Sequence, residues 1–164
     1  MTGESHVQAC LHHRHWIAAG RAAGRQCAKR RRARPPAPAY DADLAKSLGA
    51  DERGMRSYVL VVLKTGPNKM TDPEGRKKMF AGHFANMGRL AAEKKLAFAG
   101  PFDGAEGWRG LFVFATGDIE EAKAWTATDP VIVSGEMVGE FHKLYGSAAL
   151  MAVTGIHEKI QAKK

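Results

Sequence analysis

The chain has 164 residues, with 25 Lys and Arg against 17 Asp and Glu, a net charge of +8 and a pI near 9.7. That length sets one domain as the expectation, and no stretch approaches the ~20 apolar residues of a membrane span. The charge is uneven: residues 1–37 carry +7 of it, and residues 38–164 stand near neutrality at +1.

Residues 1–37 hold both cysteines (Cys10, Cys27), four of the seven histidines and the run Lys29 to Arg34, and end in a proline-rich stretch. High charge with little to bury predicts a disordered basic tail and spacer. Cys10, His12, His13, His15 and Cys27 include soft metal ligands, but their spacing fits no closed zinc pattern. The arginine cluster could touch nucleic acid or anionic lipid. No aromatic platform or groove-reading helix accompanies it, so no specific nucleic-acid partner is expected. A faint transit-peptide character and a non-native extension are further alternatives. Function is therefore sought in residues 38–164. That part has no cysteine and must be held by packing, and a cytoplasmic location is the expectation.

The domain reads as a succession of short elements. Asp41 to Leu48 predicts a helix closed by Gly49. Ser57 to Thr65 predicts a strand that is nearly all apolar, which implies cover on both faces. Thr71-Asp72-Pro73-Glu74 opens a long helix with a cap, an early proline and an acid. Phe80, Phe84, Met87 and Ala91 then repeat as its predicted core stripe. Leu96 to Phe102 and Gly110 to Ala115 predict two strands joined by a loop. A capping box, Asp118 to Glu121, starts the next helix. Asp129-Pro130 interrupts that helix, Met137 to Leu144 predicts the last strand, and Ala148 to about Gln161 a closing helix.

The order is βαββαβ. It predicts an α+β, ferredoxin-like fold: a four-stranded antiparallel sheet with two helices on one face and an extra C-terminal helix. Strands this apolar need cover on the other face, so a homodimer is expected.

Candidate chemistry is sparse. There is no P-loop, dinucleotide fingerprint, HExxH, nucleophile elbow or domain cysteine, and nothing marks a cofactor or a metal. His83 lies on or beside the core stripe of the long helix. It is either a satisfied core histidine or a general acid or base. Asp129 before Pro130 is equally an N-cap before a proline at N1. His142 and His157 are expected to be structural or solvated. Gly100-Pro101 ends a strand with a bend, where a pocket wall could lie.

These residues together resemble a known family. His83 on a long first helix, Leu90-Ala-Ala-Glu-Lys-Lys-Leu-Ala-Phe-Ala-Gly-Pro-Phe102, Gly110-Leu-Phe-Val-Phe114, Ile119-Glu-Glu-Ala-Lys-Ala-Trp125 and Thr128-Asp-Pro130 look like the YCII-related (YciI-like) family, over roughly Ser57 to Tyr145. The segment from Tyr40 to Tyr58 and the ending Tyr145 to Leu150 are similar to one branch of it. The resemblance implies a dimeric ferredoxin-like α/β fold whose pocket holds a proposed catalytic His–Asp pair, mapping here to His83 and Asp129, with Gly100 and Pro101 at the family's Gly-Pro. A described activity in the family is loss of chloride from a chlorinated hydroxyquinol-type ring. Val131 stands where an aromatic often follows Asp-Pro, which departs from the pattern at the pocket. The resemblance thus implies a cofactor-independent enzyme, lyase-like or hydrolase-like, acting on a small molecule. The alternative is a dimeric ligand-binding or accessory module without catalysis.

Overall fold

The computed structural model describes residues 37–162. The predicted basic tail, with its metal and nucleic-acid readings, lies outside the described residues apart from Ala37. The elements follow in chain order: α1 (Ala42–Ser47), β1 (Met55–Thr65), α2 (Pro73–Ala92), β2 (Leu96–Pro101), β3 (Trp108–Phe114), α3 (Ile119–Thr126), α4 (Pro130–Val133), β4 (Met137–Ser147) and α5 (Val153–Ile160). Short 3-10 turns occupy Ala105–Gly107 and Ala148–Ala152.

The four strands pair antiparallel in the order β2-β3-β1-β4. Placing the first and third strands at the centre is the ferredoxin-like arrangement predicted from the element order. Alternation then divides β1 between two faces. Val59, Val61 and Leu63 point to the helices, where they pack with Phe112, Phe114, Leu96, Leu90 and Val131. Tyr58, Leu60 and Val62 point the other way.

The helices begin where their caps put them. Asp72 accepts the Gly75 N–H at 2.7 Å, with Pro73 in the first turn of α2, and Asp118 accepts the Glu120 N–H at 2.9 Å. The reciprocal half of the predicted box at α3 is supplied differently. The Asp118 N–H donates to Thr116 Oγ1 at 3.1 Å rather than to Glu121.

Two expectations need correction. The buried residues of α2 are Met79, His83 and Leu90, whereas Phe84, placed in the predicted stripe, is 64% exposed. The most buried line lies one residue, about 100°, before the predicted stripe, whose Phe80, Met87 and Ala91 pack half-buried against the core while Phe84 borders a cleft. The closing helix also starts late. Ala148–Ala152 is a 3-10 turn, tied down by the Ala148 N–H to the Gly54 carbonyl at 2.9 Å. It lays Leu150 and Met151 over Tyr58, Val113, Leu60 and Leu144. Part of the second sheet face is thus covered by the chain itself. Phe98, Trp108 and Val138 on that side remain about two-fifths exposed.

The exit of β1 is held tightly to the entrance of β4. The Gly66 N–H donates to the Glu136 carbonyl at 2.8 Å, and the Asn68 N–H to the Gly135 carbonyl at 3.1 Å. A Cβ on Gly66 would stand 2.1 Å from the Gly135 carbonyl oxygen, a backbone atom that cannot step aside. Gly66→Ala is expected to destabilise the domain by roughly 1–3 kcal/mol. Gly88→Ala, in a helix interior where the new methyl meets nothing within 4 Å, should stabilise it by about 0.5–1 kcal/mol. Urea midpoints of the two variants check the contrast, and equal midpoints would contradict it.

Candidate active site

His83 and Asp129, 46 positions apart in the chain, meet in the core. The imidazole Nδ1 lies 2.9 Å from Asp129 Oδ1 and 2.8 Å from Oδ2. Asp129 is fully buried and His83 is 8% exposed. An ionised aspartate accepts but does not donate, so this geometry places the Nδ1 proton between ring and carboxylate. It leaves Nε2 as the ring nitrogen with no hydrogen-bond partner among the described residues.

Asp129 is also an N-cap. Its Oδ1 accepts the Val131 N–H at 3.1 Å, and Pro130 occupies the first turn of α4. Asp129 therefore caps α4 and contacts the His83 ring at once, because a carboxylate has lone pairs for both partners. Asn86, one turn beyond His83 on α2, brings its amide nitrogen to 3.5 Å from Asp129 Oδ2. Arg89 and Thr128 donate to the Asn86 carbonyl oxygen at 2.7 and 3.1 Å, which fixes which end of the amide faces Asp129. Gly82 makes the approach possible. A Cβ there would lie 3.0 Å from Pro130 Cγ, so a side chain at this position would press α4 away from α2.

His83 stands in the wall of a cleft of about 410 Å³ between α2 and the β2–β3 edge. Gly100 and Pro101 lie in the same wall, together with Phe84, Phe102 and Arg109. Asp129 sits behind the imidazole and does not line the cleft. His142 and His157 are elsewhere. His142 Nε2 meets Glu140 Oε1 at 2.8 Å on the exposed side of β4, and His157 is exposed on α5. Among the described residues, no three His, Cys, Asp or Glu side chains group as a metal site requires.

A second buried carboxylate was not foreseen. Glu136, in the turn before β4, is 1% exposed. Its Oε2 accepts the Met70 N–H at 2.7 Å, its Oε1 pairs with Arg76, and Arg109 Nη1 stands 3.8 Å from the same Oε1. Burial pushes the Glu136 acid up, but the Met70 N–H and the two guanidiniums outweigh it and hold the group below its ordinary value. Glu136 falls between the turn that Asp129-Pro130 begins and the predicted strand, and an acid directly ahead of an apolar strand is the only signal it gives.

A carboxyl depressed in the folded state contributes stability that is present above its unfolded value, near ~4.3. That stability is lost as pH falls through the folded value. Glu136→Gln is accordingly expected to cost roughly 2 kcal/mol at pH 7, the worth of a charge-assisted hydrogen bond, and proportionally less in acid. Urea unfolding at several pH values measures both. A variant whose deficit stays constant down to pH 3 would remove Glu136 from the acid limb.

The YCII-related domain family matches residues 57–139. An uncharacterised Bacillus subtilis (strain 168) protein, YjpA, is 32% identical over 81 residues, 49% of this chain and 85% of its own length. A solved structure of 5-chloro-2-hydroxyhydroquinone dehydrochlorinase from Burkholderia phenoliruptrix AC1100, in complex with 2,5-dihydroxybenzoquinone, overlaps 53% of this chain and 90% of its own. That overlap has 18% identity and a TM-score of 0.38. With the family matched over half of its length, the chain belongs to the YCII-related domain family.

Proposed function

We propose that the protein is a cofactor-independent enzyme acting on a small molecule by acid–base chemistry, with His83 as the proton-transfer group and Asp129 as its positioning partner. The observation that carries this reading is the buried Nδ1–carboxylate contact at 2.8 Å, made by a histidine that lines a cleft. Asp129 holds the imidazole in one tautomer, so the Nε2 lone pair is presented on the cleft side. When Nε2 takes a proton from substrate, the adjacent carboxylate stabilises the imidazolium that forms. The electron pair left on the substrate can expel a leaving group, which is elimination; if the proton comes from water, the hydroxide adds to an electrophilic carbon, the bond to the leaving group breaks, and the imidazolium returns the proton to that group, which is hydrolysis. Gly100 and Pro101 serve as cleft wall, where backbone without a bulky side chain lets a ligand approach.

Nitrogen-15 spectra of the imidazole test the dyad. The wild type should show the neutral ring protonated at Nδ1. Asp129→Asn, which retains an oxygen for the Val131 cap but adds donors, should shift the ring toward the Nε2–H tautomer. A tautomer indifferent to that change removes Asp129 from the mechanism. Catalysis is tested by exchange in D2O with a panel of small carbonyl acids and hydroxyaromatic compounds. Deuterium should enter a substrate with the wild type and fail to enter with His83→Asn. Binding without exchange, undiminished in both variants, would instead assign a ligand-binding module.

The second sheet face supports a homodimer. Phe98, Trp108 and Val138 leave apolar surface outside the part that Leu150 and Met151 cover, and a two-fold copy would cover it. Sedimentation should find a dimer for the wild type and a folded monomer for Val138→Asp; a monomeric wild type overturns this. The absence of cysteine from residues 38–164 supports a cytoplasmic setting, which fractionation with the cell envelope would contradict.

A further inference from the structure

The polar chemistry of the cleft does not end with His83. Arg109 also lines it, and is the only Lys, Arg, Asp or Glu that does so among the described residues. The remaining wall is apolar and rich in aromatic rings: Phe80, Phe84, Phe102 and Phe112.

A bulge puts Arg109 there. In the β1–β3 ladder Leu63 faces Gly110, but Lys64 faces Trp108, so Arg109 is the extra residue of β3. Simple alternation would place Arg109 on the face of Leu111 and Val113, away from the helices. The extra residue reverses this. Trp108 turns outward beneath Lys64, whose Nζ is 6.0 Å from the ring centroid, and Arg109 turns toward Glu136 on the helix side. Bulges re-aim side chains in this way beside functional sites.

Glu136 anchors Arg109 without using up its donors. The short pairing of Glu136 is with Arg76, which itself stacks over Phe80 at 4.9 Å. At 3.8 Å the Arg109–Glu136 contact is too long for a hydrogen bond, and the Arg109 guanidinium donates no hydrogen bond among the described residues. One buried carboxylate thus faces two guanidiniums, which leaves one positive charge over, on the residue in the cleft wall. A guanidinium with free donors matches a carboxylate in two-point geometry. A single surplus charge suits a monoanion better than a phosphate dianion, and aromatic walls suit a flat apolar body.

We infer that Arg109 is the specificity-determining residue of the cleft and binds the carboxylate of a small, flat, largely apolar monocarboxylic acid, with Glu136 positioning its guanidinium. This names the substrate class of the site proposed above and rests on that cleft being the substrate site. The acid group fixes orientation from the β3 side, while His83 meets the rest of the molecule from α2.

Benzoate, benzamide and phenyl phosphate are suitable probes for the full chain, with binding followed by NMR shifts of the His83 ring and of the Gly100 amide. Benzoate should bind the wild type at least roughly tenfold tighter than the uncharged benzamide, the scale of one charge-assisted contact. Arg109→Gln should erase that preference and leave benzamide unchanged; Arg109→Lys should keep part of it. Glu136→Gln should weaken benzoate less than Arg109→Gln does. His83→Asn should retain benzoate. Three results would overturn the inference: no benzoate binding at millimolar concentration, benzoate binding unaltered in Arg109→Gln, or phenyl phosphate bound tighter than benzoate. If the His83 tautomer ignores Asp129 while Arg109→Gln still loses benzoate, the acid–base reading falls and this one stands.

Discussion

A carboxylate taken wholly out of water must be met on nearly every lone pair, and Asp129 shows how that requirement organises a site. Desolvating an ion costs several kcal/mol even after relaxation. Asp129 offsets this with the Val131 N–H, the His83 ring and the approach of the Asn86 amide. Each partner comes from a different constraint. The N–H exists because Pro130 starts a helix, the ring because α2 crosses within reach, and the amide because Arg89 and Thr128 hold its oxygen. The capping role and the dyad role reinforce one another. Fixing the carboxylate to the start of α4 also fixes the plane in which the imidazole is held.

Glu136 meets the same requirement at the other end of the same short segment. Its partners are cationic, one N–H apart, so the surplus is positive and its acid is held below the usual range. The contrast follows from where the two carboxylates face. Asp129 lies behind the imidazole and contacts its Nδ1. Glu136 lies beside a bulge and supports a group that carries a permanent charge. Arginine stays protonated across the useful pH range, so the charge on Arg109 does not depend on its surroundings.

Much of the scaffold was legible because it rests on local signals. Nearly continuous apolar runs, Asp-Pro and Asp-x-Glu starts, and Gly ends gave the order of elements, and the order gave the sheet topology. His83 and Asp129 could be named, but separation along the chain cannot say whether two residues converge. Their meeting depends on the crossing of α2 and α4, and thus on Gly82 admitting Pro130. Phe84 was misplaced because it is large and apolar, and hydrophobicity alone does not separate a core residue from a cleft wall. Arg109 and Glu136 went unnoticed for a related reason. Trp108-Arg109 reads as the end of the loop before Gly110, and no hydrophobic pattern there announces that a bulged strand already begins at Trp108.

The span from Asp129 to Glu136 therefore carries more of the site's character than its length suggests. It contains a four-residue helix with Val131 fully buried beneath it, so its ends cannot shift independently of the core. α2 contacts both ends: His83 meets the first, while Arg76 and the preceding Met70 meet the second. The positions of His83 and of Glu136, the carboxylate that Arg109 faces, are consequently tied to one helix pair, while the bulge in β3 sets Arg109 itself. Variation in Gly100-Pro101 or the Ala105–Gly107 turn can alter the shape of the cleft without disturbing that helix pair. The proposed division, with specificity on the strand edge and proton transfer on α2, would survive such changes.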